Sequence, residues 1–275
     1  MPFDHVIVGV DGSDYGYEAL RQALVLRAPN GTLEAITVLD AGATARAGLE
    51  QPRLLALLVD EAERAREHAV ALLEGYPSCE ARLVHGNVLE TLLEQVQRER
   101  ATLVAVGTQR HSRTVGILLG ATSTGLLHDA PCPVLLARPR WGELWSPQRI
   151  LVGVDGSGQS LAALETADEL AARLGSAVTV LAATGGKQIE PEGAWSSRVD
   201  KWAPGHPVVA LLDQSIHADL VIVGSRGLHG LSSLGSVSER VAHRAPCSVL
   251  VVRSLERAGE TADETVSASH GRDIE

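Results

Sequence analysis

The chain has 275 residues, 45% of them hydrophobic and only 3% aromatic, which suits one large or two ordinary globular domains. A formal net charge of −10 disfavours nucleic acid or an anionic membrane surface as the main partner. No apolar run approaches the roughly eighteen residues of a membrane span, and the start, Met1-Pro2-Phe3-Asp4-His5, has no basic flank of a secretory signal. A cytoplasmic location is expected.

Residues 5–13, HVIVGVDGS, read as a strand over 5–10 closed by Asp-Gly-Ser, with a helix over roughly 14–27. A second strand is expected near 33–39, then a loop over 41–52. A long amphipathic helix follows from about Arg53 to Leu73. Cys79 to Val84 alternates like a strand, and Asn87 can cap a helix running to about Arg98. Leu103–Gly107 has the β-branched density of a buried parallel strand. A loop, a helix over about 121–128 and a strand at 133–137 complete the unit.

The same plan is then written again. Residues 149–157, RILVGVDGS, repeat the first strand and turn, placing Asp155 at 144 positions after Asp11 (155 − 11). Leu103 to Thr108 matches Leu220 to Ser225, with Gly224 at 117 positions after Gly107 (224 − 107). Ala130-Pro131-Cys132 matches Ala245-Pro246-Cys247. The second copy has therefore lost about 27 residues before its glycine loop, and the long helix has no counterpart in it. A strand at Ala177–Ala182, the aperiodic stretch TGGKQIEPEGAW, a short strand near Ser197–Trp202 and a helix over 207–216 are expected there. Losing the long helix should uncover one face of the sheet, which must then pack on the other domain or on a second chain. The boundaries drawn are domain one at 1–138, a linker at 139–148 carrying Trp141 and Trp145, domain two at 149–253, and a polar, acidic tail at 254–275 expected to be disordered.

Strands alternating with helices predict right-handed crossovers and a doubly wound parallel α/β sheet in each domain. Ligands of such sheets sit beyond the carboxyl ends of the strands, at the switch point. Asp11 with Gly107, and Asp155 with Gly224, fall there. The second copy continues with a loop carrying Gly224, Gly227, Gly230 and Gly235, then Ser236-Val237-Ser238-Glu239 opening a helix. Glycines let backbone approach a phosphate, and a helix N-terminus favours an anion. An ordinary β–α turn uses the same residues: Asp-Gly-Ser is also good turn and N-cap chemistry with no ligand at all. Ser236, Ser238 and Thr122 read as helix caps or phosphate ligands.

Other motifs carry less. Cys79, Cys132 and Cys247 have no metal-ligand spacing, and the latter two read as small core residues. His111 and His229 lie in loops and read as surface residues. Gly185-Gly186-Lys187 lacks the upstream glycine of a phosphate-binding Walker loop. There is neither a G-x-S-x-G nucleophile elbow nor a G-x-G-x-x-G dinucleotide fingerprint after a first strand.

Two units with VGVDGS at the first strand, a glycine loop, and Ala-Pro-Cys before the last strand resemble a tandem universal stress protein, over nearly the whole chain apart from the tail. The resemblance implies a five-stranded parallel sheet in the order 3-2-1-4-5 in each domain, the second lacking one helix. It also implies pairing of the two domains through their last strands and a stress-linked regulatory role without a defined reaction. Members that bind ATP carry Gly-x2-Gly-x9-Gly-Ser/Thr in the loop, with the Asp after the first strand near the base and ribose. In the second domain Gly224, Gly227, Gly235 and Ser236 match, but only seven residues separate Gly227 from Gly235. In the first domain the spacing to Gly120 is kept, but position 110 is Arg and position 121 is Ala, with Thr122 next. Arg110 can pair with a phosphate or fill the pocket.

The resulting expectation is a non-enzymatic, nucleotide-responsive stress protein. ATP, with Mg²⁺ only as its companion and no other metal, would bind in one domain. The second is favoured, with contacts from Val154, Asp155, Gly224, Arg226, Gly227, Gly235, Ser236, Val237 and Ser238. The corresponding set in the first is Val10, Asp11, Gly107, Arg110, Gly120 and Thr122. The alternative is an interaction scaffold with degenerate sites. Whether whole chains form a homodimer stays open.

Overall fold

The computed structural model describes residues 3–40, 42, 52–108, 120–139, 145–183, 194–225 and 236–253. The expected tail at 254–275, the loop reading over most of 41–52, Trp141, and nearly all of TGGKQIEPEGAW lie outside the described residues.

The first half runs β1 (His5–Gly9), α1 (Asp14–Leu26), β2 (Thr32–Leu39), α2 (Pro52–Leu72), β3 (Cys79–His85), α3 (Val88–Arg98), β4 (Leu103–Gly107), α4 (Ala121–Asp129) and β5 (Val134–Ala137). The second runs β6 (Arg149–Val154), α5 (Gly158–Leu174), β7 (Ala177–Ala183), a 3-10 turn (Ala194–Arg198), β8 (Lys201–Ala203), α6 (Pro207–Ser215), β9 (Leu220–Gly224), α7 (Ser236–Arg244) and β10 (Ser248–Val252). All ten strands join one sheet in the order β3-β2-β1-β4-β5-β10-β9-β6-β7-β8. Each half thus has the 3-2-1-4-5 order, with parallel neighbours throughout. Among the described residues the one antiparallel ladder is β5 against β10, with Leu135 opposite Leu250.

The strands read as continuous apolar runs because both faces of the sheet are covered. Val6 and Val8 of β1 enter a core with α1, α2 and α5, whereas Ile7 enters a second core with α3, α4, α6 and α7. Both cores cross from one half into the other. Helix starts follow local chemistry. Ser13 accepts from the Gly16 amide, and Asn87 accepts from the amides of Leu89 and Glu90, as its position before an apolar run predicts. Helix α5 ends on Gly175, whose φ of 71° is cheap only for glycine.

Two expectations for the second half need correcting. The short strand occupies Lys201–Ala203, and Ser197 and Arg198 belong to the 3-10 turn. Arg198 grips Asp168 of α5 through two hydrogen bonds of 2.7 and 3.0 Å, which holds the turn against that helix. Asp200 meets the β7 edge first, its amide donating to Val180 O and its carboxylate accepting from Val180 N, so the ladder opens one residue later. The sheet face left by the missing helix is also not bare. Trp195 and Val199 of the same half pack against the core that also holds buried Val180 and Ala182. A single indole supplies a large apolar area, so side chains of this half contribute to the cover.

Trp145 is buried in the first core, which gives the connection between the halves a packed anchor. Cys132 is buried, and desolvation pushes its thiol up to about 12. It is a core residue, as its sequence position implies. Cys247 is half-buried.

Candidate functional site

The β1–α1 and β6–α5 corners are built alike. Gly12 and Gly156 have φ values of 81° and 82°, so each turn needs a residue without a Cβ. Asp11 Oδ1 accepts from both the amide (3.1 Å) and the hydroxyl (2.6 Å) of Ser13. Asp155 Oδ1 accepts from the amide (3.0 Å) and hydroxyl (2.6 Å) of Ser157. Ser13 and Ser157 in turn cap the following helices. The turn chemistry legible in Asp-Gly-Ser is therefore present twice, with both aspartates exposed. Val10 and Val154, just before them, are buried wall residues.

Beside each corner ends the neighbouring strand. Gly9 pairs with Val106 and Gly153 with Val223, so Gly107 and Gly224 stand one residue further on. A Cβ on Gly107 would lie 2.3 Å from the backbone carbon and oxygen of Tyr15, and one on Gly224 would lie 2.4 Å from Gln159 O. These glycines exist because the first turn of the crossing helix touches the strand end. That close approach explains them without any ligand.

The helices after the glycine loops start differently. Helix α4 has Gly120 at its N-cap, with no side-chain cap, and a Cβ there would meet nothing within 4 Å. Thr122, one of the expected caps, does not cap it. In α7, Ser238 is buried and its hydroxyl donates to Gly224 O at 2.5 Å. Ser238 therefore ties the helix start to the end of β9 and is not an N-cap. Val237 is half-buried and packs on the second core. Arg110, Arg226, Gly227 and Gly235 lie outside the described residues, as do His111 and His229, and Ser236 is described only in its helical backbone.

What covers each corner is where the halves diverge. In the first, a Cβ on Gly12 would meet Ala65 of α2 at 3.2 Å, and the Tyr17 ring lies 4.1 Å from that of His68. Burial, then the charges of Asp11 and Asp14, raise the Tyr17 hydroxyl above its ordinary range and keep it protonated. In the second, a Cβ on Gly156 would meet the Trp195 indole at 2.9–3.1 Å. Position 16 is glycine, where a Cβ would press to 2.5 Å from Asp11 Oδ1; its counterpart Ser160 instead accepts from the Asp155 amide at 3.2 Å. Sequence reasoning read the Asp-Gly-Ser serines as caps but missed Tyr17 and Trp195, and nothing local marks Trp195 as the neighbour of Gly156.

A family model described as the universal stress protein family matches residues 2–138, 147–196 and 187–253. A universal stress protein of Mycobacterium tuberculosis is 31% identical over 226 residues, spanning 71% of this chain and 75% of the relative. One from Thermus aquaticus is 30% identical over 139 residues, half of this chain and 99% of the relative, as expected if one copy of a repeat suffices for it. A universal stress protein from Archaeoglobus fulgidus shares the fold at a TM-score of 0.72 with 20% identity, covering 92% of this chain and 99% of that one.

Proposed function

The chain belongs to the universal stress protein family, and from that premise we propose that it is a non-enzymatic, cytoplasmic stress-response regulator that binds adenine nucleotide at one of its two switch points. The observation that carries this reading is the corner itself. An exposed aspartate follows the first strand, a glycine-ended strand lies beside it, and a helix start is fastened next to that strand end through Ser238. The second half is favoured because Gly224, Gly227, Gly235 and Ser236 all stand in its loop. Bound there, ATP would bring its triphosphate charge and accompanying Mg²⁺. The loop amides and the α7 start would hold the phosphates, and Asp155 would accept hydrogen bonds from ribose or base. No side chain of the described corner is a base placed for attack on a phosphate, so the role assigned is binding and signalling. The two halves pair through β5 and β10.

A second reading, an interaction scaffold with degenerate sites, has its own observation: Trp195 lies directly on Gly156 and narrows the corner. Denaturing the purified protein and identifying released small molecules by mass spectrometry separates the two. Near one equivalent of ATP or ADP, lost in Asp155→Ala and kept in Asp11→Ala, is the expected result. An empty protein with no thermal shift at millimolar ATP supports the scaffold.

A further inference from the structure

At the opposite end of the sheet, where β1 and β2 begin and α3 stops, a different cluster forms. A ring nitrogen of His5, a carboxylate oxygen of Glu34 and one of Glu99 all lie within 4.8 Å of one another. They come from three separate elements, namely β1, β2 and the C-cap of α3. His5 is fixed from two sides: its amide donates to Thr102 Oγ1 at 3.0 Å, and its Nδ1 bonds Thr32 Oγ1. The Thr32 hydroxyl can donate or accept in that bond; in the tautomer that donates Nδ1–H to Thr32, Nε2 carries the lone pair. That nitrogen is shut off from solvent and has no hydrogen-bond partner. An imidazole whose one nitrogen is held by an oxygen and whose other is unused has the arrangement of a metal ligand with its orienting partner.

The second half supplies the comparison. The residue matching His5 is Arg149, and the one matching Thr102 is Asp219. There the amide of Arg149 donates to buried Asp219 at 2.9 Å, and its guanidinium reaches the same carboxylate at 3.1 Å. A built-in cation thus closes that corner. In the first half the cation is replaced by an imidazole, and two carboxylates gather beside it.

We propose that His5, Glu34 and Glu99 form a binding site for a divalent transition ion, Zn²⁺ in the first instance. Imidazole with two carboxylates suits such an ion, and the α3 C-terminus adds negative potential. Arg82 holds Glu34 Oε2 at 3.0 Å and Arg98 holds Glu99 Oε1 at 2.8 Å. Each of these bonds engages one oxygen and leaves the carboxylate its other. Both guanidiniums are substantially exposed, at 39% and 53%, so solvent screens them; they compete with an ion for these carboxylates without closing the site.

The test is calorimetric titration of Zn²⁺ into the chelator-stripped full chain, with Co²⁺ absorption as the spectroscopic readout. One equivalent is expected, with d–d bands of a nitrogen–oxygen site and no response to Mg²⁺. Glu99→Gln should weaken binding at least about tenfold, and Thr32→Val, which frees the ring, by about tenfold or more. His5→Gln should abolish the one-equivalent event, whereas His217→Gln on an exposed turn should leave it intact. Uptake that is unchanged in both His5→Gln and Glu99→Gln, a Mg²⁺ response equal to that of Zn²⁺, or no binding by the wild-type chain would overturn the proposal. Glu99 is half-buried at the α3 C-cap, and circular dichroism of Glu99→Gln checks that it folds, so that variant carries the test even if His5→Gln does not fold.

Discussion

Single atoms decide much of the site. The missing Cβ atoms of Gly107 and Gly224 are occupied by the backbone of the crossing helix, at 2.3 and 2.4 Å. No flexible side chain can yield there, so a methyl must push a helix off its strand. Gly107→Ala is expected to cost about 1–3 kcal/mol in urea unfolding. Gly120→Ala, where a Cβ meets open space, should stay within about 1 kcal/mol of wild type. An equal loss in both would mean that the contact at Tyr15 is not what Gly107 serves. Residue type alone could not separate these glycines: all of them fit a phosphate loop on paper, and only the path of α1 shows which one is needed for packing.

At the scale of elements, the halves differ by one replacement. A 21-residue helix over Gly12 in the first half gives way to a five-residue 3-10 turn carrying Trp195 in the second. The indole is half-buried and meets the Trp202 ring at 6.1 Å. Trp195→Ala is expected to destabilise the protein by about 2–3 kcal/mol, because it removes a large half-buried side chain that packs against the first core. Its fluorescence should also report on nucleotide arriving at Asp155. A quench on adding ATP that disappears in Trp195→Phe would tie the indole to that corner. The missing helix was legible from the offset between the repeats. Its substitute was not, because one tryptophan in an aperiodic stretch has no pattern to read.

Across the whole molecule, arginines after the last strands reach into the opposite half. Arg138 follows β5 and donates to Cys247 O at 2.6 Å and to Ala242 O of α7. Its counterpart Arg253 follows β10 and donates to Leu127 O and His128 O of α4. A third, Arg173, caps the end of α1 through Val25 O, Leu26 O and Arg27 O at 2.7–3.1 Å. Each places a cation where a helix C-terminus leaves carbonyls without partners. Buried Gln22 adds a link to Ser248 at 2.7 Å. Replacing Arg138 with Met should cost about 2–3 kcal/mol, since two carbonyls lose a charged donor. With Arg253→Met added, urea unfolding followed by circular dichroism, expected as a single transition in the wild-type chain, should split in two. A transition that stays single and shifts by less than about 1 kcal/mol would show that β5, β10 and the two shared cores suffice.

The sequence by itself determined the repeat, the order and type of nearly every element, and the Asp-Gly-Ser corners. Periodicity, glycine turns and caps are local properties, and the pattern occurs twice. Only the tertiary structure decided which glycines serve packing, that Ser238 ties a helix to a strand, that Trp195 covers the second corner, and that His5 meets two glutamates. Each of those depends on residues far apart in the chain arriving at one place, and spacing along the chain carries no trace of that.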